Sequence, residues 1–289
     1  MQAIRAGFVG LGAMGWSMAA HLHRLGLLAA VANRSAEKAQ RFAAEHAGVG
    51  AATAQTIAQG CNVIVLCVSA DADVLDVCRA VAANAAPGSV VIDHSTVSSA
   101  TAMQAAELLR AAGADFVDAP VSGGVEGARN GKLSIMAGAR DGVLERVQPV
   151  LQAYGARISH MGGIGAGQNT KAVNQVLIAG IAQAVTEGLA LGEALGLDPA
   201  VLLPTLGAGA AGNWFLEKRG ATMLRNEFSV GFKLSLLYKD LGIVQSLAAA
   251  AGTDRSIIEK SLHDYAELLA RGHGDEDISA LIRLKRPQV

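Results

Sequence analysis

The stretch "GFVGLGAMGWSMAAHL" (residues 7–22) runs a short apolar segment into three glycines and then into a helical pattern. Gly10, Gly12 and Gly15 have the spacing G-x-G-x-x-G, so the turn consists of Gly10, Leu11, Gly12, Ala13, Met14 and Gly15. In such a turn the first glycine permits the tight reversal, the second lets a pyrophosphate approach the backbone, and the third allows the helix to pack closely on the strand. The phosphates then sit at the positive end of the helix. A glycine triplet alone is a weak signal, but here it lies in the first strand-helix-strand unit, which favours dinucleotide binding over a merely structural turn.

Outward from this turn, the chain up to about residue 160 alternates β-rich runs with helical stretches: "AGFVGL", "LAAVAN", "CNVIVLCVS", "SVVIDHST", "ADFVDAP", "LSIMAGA" and "ARISHMG". Runs that are apolar throughout, joined by amphipathic helices, predict a mostly parallel sheet covered on both faces, a doubly wound α/β architecture. From Gly165 the β pattern stops, and Ala/Leu/Glu-rich helical segments follow, broken near "GLDP", "GAGAAGN" and "AAAGTD". The expected organisation is therefore a dinucleotide-binding domain over 1–163 and an all-helical domain over 164–289, the latter entered by a long helix from about Thr170 to Leu195.

Composition narrows the functional classes. With 24 Lys and Arg against 25 Asp and Glu, a net charge of −1 and only 17% charged residues, the chain has no polybasic arm or acidic tail, and nucleic acid is not an expected partner. The most apolar long run, Ala172 to Leu197, is interrupted by Asn174, Gln175, Gln183, Glu187 and Glu193, so no membrane span is expected. The N-terminus reaches glycine punctuation before any stretch of signal-peptide length, and Cys61, Cys67 and Cys78 have neither C-x-x-C nor zinc spacing. Reduced cysteines in a cytoplasmic protein are the expectation. The seven histidines form no ligand set, and no metal is implied. His94 and His160 end predicted strands and are expected to be structural.

The end of the second strand usually carries an acidic residue that binds the adenosine ribose. Here "VANRSAEKA" offers Asn33, Arg34 and Ser35 instead. A carboxylate would repel a 2′-phosphate, whereas Arg34 can pair with one and Asn33 and Ser35 can donate hydrogen bonds. The prediction is NADP(H) in preference to NAD(H); the alternative has Arg34 in solvent and Ser35 capping the next helix. Loops after parallel strands line the ligand crevice, which brings Val68, Ser69, Ser95 and Thr96 towards the cofactor, with helix capping by Ser95 or Thr96 an equal use.

In "DAPVSGGVEGARNGKLSIMAGA", Ser122, Gly123 and Gly124 expose backbone N–H groups beside a hydroxyl, a nest suited to a carboxylate, or else a tight turn. In "GIGAGQNTKAVNQ", Lys171 is expected on the first turn of the long helix, with Asn174 and Gln175 three and four residues on. A cation there opposes the helix dipole, a cost that suggests use. Hydride transfer to a carbonyl leaves an alkoxide that needs a proton, which makes Lys171 the candidate general acid/base, with Asn174 orienting the substrate or the lysine and Gln175 a further candidate for substrate contact. Lys239 in "YKDL" reaches a ligand or is simply exposed, and Trp214 is expected chiefly in the core.

The succession "GFVGLGAMG", "DHSTV", "DAPVSGG", "GAGQNTKAVNQ" and "YKDL" resembles the β-hydroxyacid dehydrogenase family over nearly the whole chain. The resemblance implies an N-terminal Rossmann domain, a helical C-terminal domain, and interconversion of a small 3-hydroxy acid with its semialdehyde, of the 3-hydroxyisobutyrate or tartronate semialdehyde type. It implies a catalytic Lys171, a substrate carboxylate held by Ser122, Gly123 and Gly124, substrate contact by Asn174, and cofactor contact by Thr96 and Lys239. It also implies a homodimer or homotetramer. "AGNW" and His94 depart from the family pattern and leave the particular substrate open. An imine reductase-like enzyme or a non-catalytic NADP-binding module are the competing readings, and the lysine within its full motif weighs against both.

Overall fold

The computed structural model describes residues 3–287. Strands β1 (Ala6–Val9), β2 (Leu28–Ala32), β3 (Gly50–Ala51), β4 (Val63–Leu66), β5 (Val90–Asp93) and β6 (Asp115–Asp118) run parallel. They alternate with helices α1 (Gly15–Arg24), α2 (Ala36–Glu45), α3 (Ala54–Gly60), α4 (Asp71–Ala82) and α5 (Ser99–Ala111). Beyond β6 come β7 (Val121–Ser122), α6 (Gly124–Asn130), β8 (Leu133–Ala139), α7 (Val143–Gln152) and β9 (Gly155–Gly162). The sheet order is β3-β2-β1-β4-β5-β6-β8-β7, with β9 on β8, and β8 runs antiparallel to β6 and β7. The two-residue β3 and β7 are too short to leave a period in the sequence.

Val/Ile runs form these strands because both faces are buried: Phe8, Val65, Ile92 and Val117 belong to one apolar cluster, and Val9, Ile64, Leu66 and Val91 to the other. The chain leaves β1 for β2 on one side and β4 for the other, so the strand order reverses beside β1. The loops after β1 and β4 therefore flank a switch point, where doubly wound sheets bind ligands.

The second unit is helical: α8 (Ala166–Ala194), α9 (Pro199–Ala208), α10 (Trp214–Leu224), α11 (Leu234–Ala251), α12 (Ser256–Ala270) and a short 3-10 segment, Ile278–Leu284. Asp198 caps α9, accepting from the Ala200 N–H with Pro199 in the first turn, which is why "GLDP" both ends one helix and starts the next. Its core gathers Leu189, Phe215, Leu234, Leu237, Tyr265 and Leu281. By packing, the chain divides inside α8, with residues up to Lys171 in the sheet unit and Ala172 onward in the helical unit. By length and composition α8 could cross a bilayer, yet half of its apolar window is buried within the protein.

The first turn of α8 packs so closely on the sheet that a Cβ on Gly167 would lie 2.6 Å from the Asp118 carbonyl oxygen and 2.8 Å from its carboxylate, and closer still to the Met136 carbonyl. Backbone atoms cannot swing aside. Gly167→Ala is expected to destabilise the protein by about 1–3 kcal/mol, read as a lower urea midpoint at unchanged slope.

Candidate active site

At the end of β1, Gly10 has φ +101°, and a Cβ there would strike the Cys67 carbonyl of the neighbouring loop. Gly15 has no room for a side chain either, because the Gly10 carbonyl lies against it. Gly12 differs: nothing stands within 4 Å of its missing Cβ. That open space lies on the turn itself, beside an α1 N-terminus with no side-chain cap and no acidic residue in its first turn. Leu11 is buried, Ala13 exposed and Met14 half-buried. Room on the backbone and an uncompensated helix end fit a dinucleotide pyrophosphate.

Asn33 has a structural task beside the one expected. Its Oδ1 accepts the Leu11 N–H at 2.9 Å and its Nδ2 donates to the Ser35 carbonyl at 3.2 Å. Because β1 and β2 are neighbours, their carboxyl ends lie side by side, and the short amide ties the glycine turn to the end of β2. Arg34 is 93% exposed and 4.0 Å from the Asp73 carboxylate. Ser35 precedes α2 but its hydroxyl makes no cap bond.

After β4, the Val68 N–H donates to Ser95 Oγ at 2.9 Å while its side chain lies against Gly10; Ser69 is exposed. Ser98 caps α5, accepting from the Thr101 N–H, so neither Ser95 nor Thr96 does so. Ser95 instead joins the loops after β4 and β5, and Thr96 is half-buried beside it. His94 is buried: its Nδ1 donates to the Ala119 carbonyl at 2.6 Å, and its Nε2 accepts from the Tyr154 hydroxyl at 2.8 Å. Burial, partly opposed by the Ala119 hydrogen bond, lowers its pKa to about 4, so the ring is neutral and structural. His160 Nε2 bonds the Ala139 carbonyl.

A carboxylate that sequence reasoning missed organises the next loop. Asp118, fully buried at the end of β6, accepts the Gly165 N–H at 2.8 Å through Oδ1 and the Gln168 N–H at 2.9 Å through Oδ2. It caps α8 from outside the helix and starts it at Ala166. Lys171 is therefore in the second turn, not the first as expected, and the dipole acts on it less strongly than that placement implied. It is 7% exposed, and Nζ donates to the Val121 carbonyl at 2.9 Å, immediately before Ser122, Gly123 and Gly124. Gly123 and Gly124 have φ of +125° and +60°, a backbone course that glycines alone adopt readily.

In the helical unit a polar chain links three further predicted residues. Asn174 Nδ2 donates to Gln175 Oε1 at 2.8 Å, Gln175 Nε2 donates to Asp240 Oδ2 at 2.7 Å, and Lys239 Nζ lies 2.9 Å from Asp240 Oδ1. Gln175 is fully buried and serves this chain. Trp214, expected in the core, is 53% exposed under the Arg219 guanidinium, because Asn213 caps α10 and leaves the first helical residue on its rim.

A doubly wound sheet with an open glycine turn at its switch point, followed by a buried lysine on a helix leading into a helical unit, defines a dinucleotide-dependent oxidoreductase. A profile described as the NAD-binding domain of 6-phosphogluconate dehydrogenase matches residues 5–163, and one described as the NAD-binding domain of NADP-dependent 3-hydroxyisobutyrate dehydrogenase matches 165–285. The chain is 34% identical to 3-hydroxyisobutyrate dehydrogenase of Pseudomonas aeruginosa (96% of this chain, 97% of that one). It is 32% identical to 2-hydroxy-3-oxopropionate reductase of Escherichia coli (97% and 96%). The structure of Mycobacterium tuberculosis 3-hydroxyisobutyrate dehydrogenase with L-serine superposes with a TM-score of 0.88 at 30% identity, covering 99% of this chain and all of that one. The chain belongs to the β-hydroxyacid dehydrogenase family and is an oxidoreductase that uses a nicotinamide dinucleotide.

His94 and Asp118 give opposite acid responses. The native His94 ring resists protonation down to about pH 4 while the unfolded chain takes up a proton near 6.5, so its contribution to stability is lost as pH falls between those values. Burial, offset in part by the backbone N–H groups, raises Asp118 to about 6, so its contribution is present below 3.8 and is lost as pH rises through 6. The two largely offset each other over that range. His94→Gln removes one of them: between pH 7 and 4.5 its stability should rise relative to the unsubstituted protein by roughly 2 kcal/mol, measured by urea unfolding at both pH values.

Proposed function

We propose that the protein interconverts a small 3-hydroxy acid and its semialdehyde, of the 3-hydroxyisobutyrate or tartronate semialdehyde/glycerate type, with Lys171 as general acid/base and NADP(H) preferred over NAD(H). The observation that carries this reading is the buried Lys171 ammonium, held on the Val121 carbonyl beside the Ser122-Gly123-Gly124 turn. Ser122 Oγ and the N–H groups of the two glycines suit a carboxylate, which fixes the substrate end away from the reacting carbon. The bound dinucleotide supplies or accepts the hydride. Lys171 Nζ gives a proton to the oxygen that becomes a hydroxyl, and takes it back in the reverse direction. Asn174, one turn further along α8, orients the substrate, and Lys239 serves the cofactor.

The cofactor preference rests on charge. No carboxylate stands at the end of β2, and the Arg34 guanidinium is in solvent except for Asp73. Such exposed pairs contribute about 0–1 kcal/mol, so the arginine can exchange Asp73 for a 2′-phosphate at little cost. The proposed homodimer or homotetramer is supported by apolar surface on the helical unit: Val173 and Leu177 are 62% and 61% exposed, and no residue of α9 is buried.

Initial rates with NADPH and NADH on a panel of small semialdehydes, and with NADP+ and NAD+ on the corresponding 3-hydroxy acids, test both parts. Lys171→Ala should lower kcat by roughly 10²- to 10⁴-fold with dinucleotide affinity retained. NADPH should outperform NADH at least tenfold in kcat/KM, and Arg34→Ala should abolish that margin, worth about 1.4 kcal/mol. Near-normal turnover in Lys171→Ala would exclude it as the proton donor.

A further inference from the structure

Gln168 is 3% exposed and its carboxamide has two partners on one loop. Its Oε1 accepts the Val97 N–H at 3.2 Å and its Nε2 donates to the Ser95 carbonyl at 2.8 Å. Those two groups are the peptide units on either side of Thr96. A planar amide, with one acceptor and one donor, satisfies both, which neither a carboxylate nor an apolar side chain of the same length can do. Its own backbone N–H is bound by Asp118, and Lys171 follows three residues later on the same helix face. Rigid helical geometry therefore connects the loop carrying Thr96 to the turn carrying Lys171 through one buried side chain.

We infer that Gln168 is a positioning residue: by bracketing Thr96 it sets where the nicotinamide end of the cofactor lies relative to the Lys171 ammonium. This rests on the reading of Lys171 as proton donor. Gln168 touches no reacting atom. It acts by holding the loop that carries Thr96 to the helix that carries Lys171, and a buried polar side chain with both hydrogen-bonding functions paired specifies one arrangement where methionine or leucine would allow several. The glycine turn, held separately by Asn33, does not depend on it, so the two ends of the dinucleotide are positioned by different residues.

The test separates those ends. In Gln168→Met, affinity for NADPH should fall at least fivefold while affinity for 2′-phospho-ADP-ribose, which lacks the nicotinamide ring, stays within twofold. With the best substrate of the panel, kcat should fall at least tenfold, with a larger primary isotope effect from 4-deuterated NADPH. A purely structural role would lower the melting temperature, weaken both ligands in parallel and leave kcat per folded molecule and the isotope effect unchanged; that result overturns the proposal. Should the variant not fold, hydrogen exchange on the unsubstituted protein decides. The Val97 N–H should be strongly protected and slow at least tenfold further with NADPH but not with the ringless fragment, and exchange at the rate of an exposed amide overturns the proposal. Lys171→Met run alongside keeps the cases distinct. Retained turnover there refutes the proton-donor reading, while the NADPH-to-fragment comparison still judges Gln168.

Discussion

The contact on which the site depends is a buried carboxylate receiving the first N–H groups of a helix. Asp118 binds the Gly165 and Gln168 N–H groups from the end of β6 and so fixes both where α8 begins and which of its faces meets the sheet. A helix of 29 residues has orphan donors at its start whatever its length. Meeting them with a side chain from another element converts a local need into a tertiary restraint. The phase of α8 then places Lys171 on the Val121 carbonyl and Gln168 on the peptides around Thr96. Burying the carboxylate has a cost, visible in its raised pKa, and the backbone donors offset part of it.

The architecture was legible because its signals are periodic and local. Apolar runs gave the parallel strands, the glycine spacing gave the turn, and "GLDP" gave a helix boundary whose capping the structure displays. What stayed hidden was non-local or too short to repeat. β3 and β7 have two residues each. The start of α8 lies four residues before the expected Thr170 because its cap comes from Asp118, 48 positions earlier than Ala166. No window along the chain contains both partners.

Side-chain tasks were harder to read than side-chain places. Asn33 sits at the end of β2, where a cofactor-reading residue was expected, and its amide also binds the Leu11 N–H and the Ser35 carbonyl. Ser95 and Thr96 were read as ligand contacts or caps, and the cap is Ser98. Trp214 followed the usual expectation for a large aromatic residue, but a capping asparagine put it at the helix rim. In each case the residue type allows several hydrogen-bonding or packing roles, and only the neighbours brought in by the fold select one. Gln168 is the converse: sequence gives it no distinction beyond lying on the lysine's face, and burial with two satisfied bonds gives it a task.

The bond from Asn33 to the glycine turn also bears on how such proteins diversify. Aspartate at that position would still present an oxygen to the Leu11 N–H, losing only the donation to Ser35. A single exchange between two side chains of equal size would thus add a negative charge beside the place of the adenosine ribose while the contact to the glycine turn is kept. Lineages could drift between the phosphorylated and unphosphorylated coenzyme without first having to rebuild the cradle.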